Sequence, residues 1–213
     1  MPASAEQIEA FATIKWATAL LRSSEWNIRS RFRDFHLDAD PDLFCRETMS
    51  ANNGLQQWVE LYENPAPGST LTARTVSLCK FGEGLMGFPT TCHGGAVMTM
   101  MDEALGWAMI VQETMGSRTD PADWAKRYNE NSKSMLKERA PLEKALKGYL
   151  VTAHLEMKFL RPVHCPGVVG IEVKIVEDKG YKMKLRAIIK NGDGTPLVQA
   201  DALWVRLGGG SRL

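Results

Sequence analysis

The sequence is poor in the features that mark most specialised protein classes. Its four cysteines, Cys45, Cys79, Cys92 and Cys165, include no C-x-x-C pair. That excludes a disulfide framework or a structural zinc clip and fits free thiols in a reducing compartment. The four histidines have no metal-cluster spacing, so neither a metal nor another cofactor is expected. Lys and Arg total 26 against 25 Asp and Glu, a formal net charge of +1, and no five like charges run together. The electrostatic footprint of a nucleic-acid binder is missing, and polyanionic partners are not expected. No apolar run reaches the roughly 18 residues of a membrane span, and the first residues lack a charged region followed by an apolar one. These absences lead to the expectation of a soluble protein with no signal peptide and no membrane span.

What the chain does have is material for a core. At 213 residues and 44% hydrophobic composition, one domain with a helical extension is the natural size. Ser4 and Gln7 form an S-x-x-Q capping box before the spaced apolar residues Ile8, Phe11, Ile14 and Leu21, which predicts an amphipathic helix packed on the body. "RSRFRDFHLDADPDLF" is mixed and turn-like, and "LQQWVELYENPAPGS" reads equally as a strand or a short helix ending at Pro65. A β-rich body begins near "TARTVSLCKFGEGLMGFPTTC", where Gly82, Gly84 and Gly87 suggest bends or bulges.

The run from Gly95 to Ile110 is apolar on nearly all sides, which predicts a buried helix at the centre of the fold. A polar, helix-prone excursion follows, broken at Pro121 and Pro141. The sheet then resumes. Val151, Ala153, Leu155, Met157 and Phe159 alternate with Thr152, His154, Glu156 and Lys158, so Thr152 is expected on the polar face of its strand. Strands over 169–175, 181–189 and 197–207, joined by the turns "EDKG" and "NGDG", complete a predicted antiparallel meander. Its apolar face needs a cover, and the 95–110 helix supplies one.

Within "HGGAVMTMMDEALG" two features carry chemistry. Two glycines opening a helix leave backbone N–H groups pointing outward at the positive end of its dipole, able to polarise a carbonyl. Taken alone, His93-Gly94-Gly95 is as well explained by a tight turn. Asp102 is harder to dismiss, since a carboxylate in an apolar helix is paired or functional, and burial would make it a candidate general base. Glu103 competes, but adjacent helix positions point about 100° apart, so one of the two acids is expected to be solvated or salt-bridged. Gly94 and Asp102 lie roughly 12 Å apart along one helix, too far to serve one carbonyl. If both act, they come from different subunits of a two-fold dimer.

At these residues the chain resembles the hotdog-fold acyl thioesterases, in the branch with an HGG turn and an aspartate nine positions after the histidine. "VTAHLEMKFLRPV" resembles that family's following strand, T-x-x-L-x-x-x-F/Y-x-R-P. The resemblance runs from about Leu78 to Leu207 apart from the excursion. It implies an α+β hotdog fold, an antiparallel sheet wrapped around one helix. Residues 1–75 form an N-terminal helical extension with a first strand region, 76–207 the hotdog domain with an insertion at 113–149, and 208–213 a tail. It also implies that Asp102 is the base or nucleophile, that the Gly94 N–H polarises the thioester carbonyl, and that Thr152 holds the water or the carboxylate. His93, Gly95, Glu103 and Arg161 join as substrate-binding residues, with His93 serving the turn rather than acting as a base. The expected substrate is an acyl-CoA or a carrier-protein thioester, and the expected assembly a homodimer or tetramer.

Other readings differ in chemistry. A cysteine nucleophile is disfavoured because the neighbours Cys92-His93 and His164-Cys165 point to opposite faces of extended chain. A hydratase or dehydratase, release of a polyketide chain, and a non-catalytic acyl-CoA binder remain open on the same fold. The last residues, "GGGSRL", place Ser211-Arg212-Leu213 behind three glycines and resemble the S-K-L type of peroxisomal address. Peroxisomal import is therefore expected, and otherwise a cytoplasmic location.

Overall fold

The structure is a computed structural model. It describes residues 4–31, 43–64, 74–117, 121–139 and 146–208, together with Pro141 and Lys144. The C-terminal Ser-Arg-Leu and most of the "RSRFRDFHLDADPDLF" stretch lie outside the described residues.

The capping box at Ser4 and Gln7 is formed, but the helix it starts is short. Helix α1 (Ala5–Glu9) is followed by α2 (Lys15–Leu21), where one continuous helix was expected. The break between them puts Phe11 and Ile14 at 0% exposure. It also lets the Lys15 N–H donate to Gly192 O at 2.9 Å. Each buried side chain contributes roughly 2–3 kcal/mol, which outweighs a lost turn of helix.

Among the described residues, seven strands form one antiparallel sheet. In chain order these are β1 (Trp26–Ser30), β2 (Leu55–Glu63), β3 (Thr75–Phe81), β6 (Leu150–Phe159), β7 (Gly167–Asp178), β8 (Lys182–Lys190) and β9 (Pro196–Arg206). Their spatial order is β1-β2-β3-β7-β8-β9-β6. The ambiguous "LQQWVELYE" is thus strand β2, and β7-β8-β9 is the expected meander. Strand β6 departs from it, crossing the sheet to pair with β9 at the far edge. A short ribbon of β4 (Met86–Phe88) and β5 (Thr91–Cys92) leads into helix α3 (Gly94–Ser117), and α4 (Pro121–Glu138) follows.

Helix α3 lies along the inner face of the sheet. Its Val97, Met100, Met101, Ala104 and Leu105 join Phe81, Ile171, Met183 and Leu185 in one core. A curved antiparallel sheet wrapped round one long helix is the hotdog fold, an α+β architecture. The opposite face of β1-β2-β3 is covered by the N-terminal segment, where Phe11 and Ile14 of the break and Ala17 and Leu21 of α2 pack on Val59, Leu61, Val76 and Leu78. The N-terminal extension therefore makes the sheet two-sided on this half.

Helix α3 runs to Ser117, well past Ile110, because its polar C-terminal residues find partners. The Thr114 hydroxyl donates back to Ile110 O and Val111 O at 2.9 Å. Glu113 accepts from Arg206 Nη2 at 2.7 Å. No helix of the described residues is long and apolar enough to cross a membrane.

Candidate active site

The turn that opens α3 is held from three sides. The Cys92 N–H donates to Val163 O at 2.8 Å, the Cys165 N–H to Thr90 O at 3.0 Å, and the His93 N–H to Leu85 O at 2.7 Å. His93 caps the helix itself, its Nδ1 accepting the Gly95 N–H at 3.0 Å. The imidazole sits against Gly87, where an added Cβ would come within 2.9 Å of His93 Cα and 3.0 Å of its ring. Gly87 is thus needed for this close approach, a role that "bend or bulge" did not capture. With Gly95 capped, the exposed Gly94 keeps the outward N–H, which has no acceptor among the described residues.

Two turns further along α3, Asp102 is half-buried and accepts a hydrogen bond from the Thr152 hydroxyl at 2.9 Å. The alternation of β6 predicted Thr152 on the face away from the helix, so this contact needs explaining. In the ladder with β9, Thr152 pairs with Trp204 but His154 pairs with Leu203, leaving Ala153 as an extra residue. This β-bulge shifts the phase of the strand. Leu150 and Thr152 before it and Leu155, Met157 and Phe159 after it all face α3, and Val151, His154 and Glu156 face outward. Burial pushes the Asp102 carboxyl above its ordinary value, and the Thr152 hydrogen bond opposes part of that rise.

Glu103 turns to the opposite flank of the helix. It pairs with Arg31 just beyond β1, whose guanidinium also reaches Glu60 of β2 at 3.4 Å and stacks 4.8 Å from the centre of the Trp58 ring. Glu60 is 2% exposed and accepts a further hydrogen bond from Ser77. Burial pushes its carboxyl up to about 7 against the pull of Arg31 and Ser77. Sequence reasoning missed Glu60. The signal was present as an acid between Val59 and Leu61 in an apolar run.

Arg161 lies in the connection between β6 and β7, where its Nη1 donates to Pro196 O at 2.8 Å. It lines a cleft of about 350 Å³ with His164, Asn191 and Thr195, at the end of the sheet that carries the HGG turn. The structure thus brings Asp102 to Thr152 and His93 to Gly95, turns Glu103 to the other flank of α3, and holds Arg161 on Pro196 O beside the end of the sheet that carries the HGG turn. All four cysteines are free and buried. Burial pushes Cys92 up to about 12, with the neighbouring Cys165 adding to the rise, and Cys79 is held well above the ordinary thiol value. These thiols are poor nucleophiles. Among the described residues no three His, Cys, Asp or Glu side chains converge as a metal site.

Residues 90–198, just over half of the chain, match the model of the thioesterase superfamily, and the chain belongs to that family. Membership marks a thioesterase-like enzyme. The chain is similar to verlamelin biosynthesis protein B of Lecanicillium sp., with 26% identity over 168 residues covering 75% of this chain and 70% of that one. Among solved structures it is similar to the PaaI protein of the E. coli phenylacetic acid degradation operon, with 14% identity, 64% and 74% coverage and a TM-score of 0.45. Zebrafish thioesterase superfamily member 2 gives 15% identity, 70% and 81% coverage and a TM-score of 0.44.

Proposed function

We propose that the protein hydrolyses an acyl thioester to a free acid and a thiol, with Asp102 activating water. The observation that carries this reading is the Asp102–Thr152 pair, a half-buried carboxylate beside an edge strand in a chain of the thioesterase superfamily. Asp102 takes a proton from water as the oxygen attacks the carbonyl carbon. The Gly94 N–H at a helix N-terminus receives the oxyanion, and collapse of the tetrahedral intermediate expels the thiolate, which takes up a proton. Thr152 orients the carboxylate. Because burial raises the Asp102 carboxyl, the acid limb of the rate profile lies above the ordinary aspartate range.

Along α3, eight residues separate Gly94 from Asp102, roughly 12 Å, so the two groups meet one carbonyl only across two copies of the chain. The surface near β6 suits such a homodimer. Phe159 is 51% exposed, and Phe88, at 78%, lies in the β4 ribbon that leads into the HGG turn. Phe159 itself lies against Gly94, its ring 3.8 Å from where a Cβ would stand.

The substrate is carried on coenzyme A or on a carrier protein. The biosynthetic name of the fungal relative keeps the second form open. Thiol release from a panel of acyl-CoAs and carrier-bound thioesters tests the reading. Turnover in the native protein and a drop of at least about a hundredfold in Asp102→Asn are expected. Equal turnover in the two proteins would defeat the mechanism, and binding without turnover by the native dimer would leave a non-catalytic acyl-CoA binder. Ser211-Arg212-Leu213 is proposed to direct the protein to peroxisomes. A fluorescent fusion that stays diffuse with this terminus free would remove that proposal.

A further inference from the structure

Thr152 reaches Asp102 from the last strand of the sheet, at a point where the ladder with β9 is interrupted straight afterwards by Ala153. Strand pairing alone holds such a residue loosely, so its distance from α3 needs a second support. The alignment of the two layers supplies one. Asp102 and Gly106 are four positions apart on α3 and lie on one flank, about 6 Å from each other. Thr152 and Trp204 stand directly opposite each other on β6 and β9, about 5 Å apart on the face turned to the helix. The two steps match in length. Two strands therefore lie across two successive turns of α3, Thr152 on Asp102 and Trp204 on Gly106.

The second contact is tight. A Cβ added to Gly106 would stand 3.3 Å from Cη2 of the Trp204 ring and 3.9 Å from Cζ2, so the indole occupies the space that a side chain at 106 would take. Trp204 is 8% exposed, belongs to the main core and stands beside the fully buried Met183 of β8, so the ring is fixed by its surroundings. Its Nε1 is buried with no acceptor among the described residues, a cost that phenylalanine would avoid. What the indole adds is reach, because the two atoms nearest Gly106 belong to its outer ring. That reach matters at the neighbouring contact. At 2.9 Å the Thr152–Asp102 bond is at the long end of the range for hydroxyl donors, so a few tenths of an ångström decide whether it is made.

We infer that Trp204 is a positioning residue for the reaction: wedged on Gly106, its indole sets the gap between α3 and the β6–β9 edge at which the Thr152 hydroxyl reaches the Asp102 carboxylate. The inference rests on the thioester reading for the reaction it serves, and its geometry is independent of that reading. Among the described residues, the charged groups of the elements packed here are engaged or turned elsewhere. Glu103 is tied to Arg31 on the other flank, Glu113, three turns on, to Arg206, and Asp201 to Arg186. His154, Glu156 and Lys158 stand on the outer face of β6. The Thr152 hydroxyl is thus the group through which Trp204 would be felt at Asp102.

The test follows the Asp102 carboxyl by carbon NMR in the full chain, its signal identified by its absence from Asp102→Asn, together with kcat on a thioester that the native protein cleaves. Gly106→Ala sets a methyl group against the ring. It is expected to move the Asp102 titration to higher pH, as loss of the Thr152 hydroxyl does, and to lower kcat about fivefold. Trp204→Phe, which withdraws the outer ring, is expected to do the same. Combining the two substitutions should recover most of both effects, since the shorter ring makes room for the methyl group. In a Thr152→Val background Gly106→Ala should add no further shift and no further loss. An unmoved titration in folded Gly106→Ala and Trp204→Phe overturns the proposal, as does a double variant that stays as shifted as either single one. So does a shift of undiminished size in the Thr152→Val background, which would mark a change of packing that bypasses the hydroxyl. If the native protein cleaves no thioester while the titrations follow this pattern, the hydrolase reading fails and the positioning role stands.

Discussion

Asp102 and Glu103 are neighbours in the chain, yet the two flanks of α3 treat them in opposite ways. On the β1–β2 flank Glu103 enters a closed set of Arg31, Glu60 and Ser77, where one guanidinium serves two acids over the Trp58 ring. On the β6 flank Asp102 has, among the described residues, one neutral partner, the Thr152 hydroxyl, and stays half-exposed. Two carboxylates on one turn of helix thus acquire different work from the strands they face. The closed flank fixes the helix, and the open flank leaves an acid under-satisfied, as a base must be.

The contrast breaks most severely if Arg31 is removed. Arg31→Leu leaves Glu60 and Glu103 without their common cation, and a loss of about 3 to 5 kcal/mol in urea unfolding is expected. A loss below about 1 kcal/mol would mean that the closed flank does not hold the helix.

Next in size is the pH dependence that Glu60 confers. Its carboxyl titrates at about 7 in the folded chain against an ordinary value of 4.5, so the folded state binds the proton more tightly than the unfolded one. Stability from this group is fully present below about pH 4.5, falls as pH rises towards 7 and is flat above, a total of about 3 kcal/mol. In Glu60→Gln that slope should vanish. Unfolding curves of the two proteins measured from pH 4.5 to 8 would show whether it does.

The smallest change sharpens the open flank. Thr152→Val keeps the β-branched shape but removes the only hydrogen bond seen on Asp102 among the described residues. A loss of about tenfold in kcat with little change in unfolding midpoint is expected, together with a shift of the acid limb to higher pH, because the hydroxyl was holding the carboxyl down. A stability loss as large as that of Arg31→Leu would make the two flanks alike.

Much of this was legible where local pattern and tertiary demand agree. The capping box at Ser4, the apolar run after Gly95 and the β7-β8-β9 meander were plain in the residues, as was the sense that one of the paired acids would be bridged. What escaped depended on partners far away in the chain. Thr114 looks like a helix stop until its hydroxyl finds Ile110 O, and Arg31 means nothing until β1 is laid beside β2. Strand β6 was expected beside β7 because order in sequence suggested it, whereas its pairing with β9 follows from wrapping the sheet around α3. Glu60 was overlooked because its segment read equally as a strand or a short helix, so nothing in it assigned the acid to a buried face.

The extra residue at Ala153 has a bearing on how such a site is inherited. A strand has only two faces, so one inserted codon toggles every side chain on one side of it, and a second toggles them back. Losing Ala153 would leave a regular strand in which Leu150, Thr152, Leu155, Met157 and Phe159 still share the face towards α3, because the bulge is what absorbs the extra residue. The site can instead be switched off without any change of sequence, by a pairing slip that draws Ala153 into the ladder and turns Leu150 and Thr152 outward. An alignment that slides a gap by one position here would place the hydroxyl of Thr152 on the wrong side of the sheet while matching every letter around it.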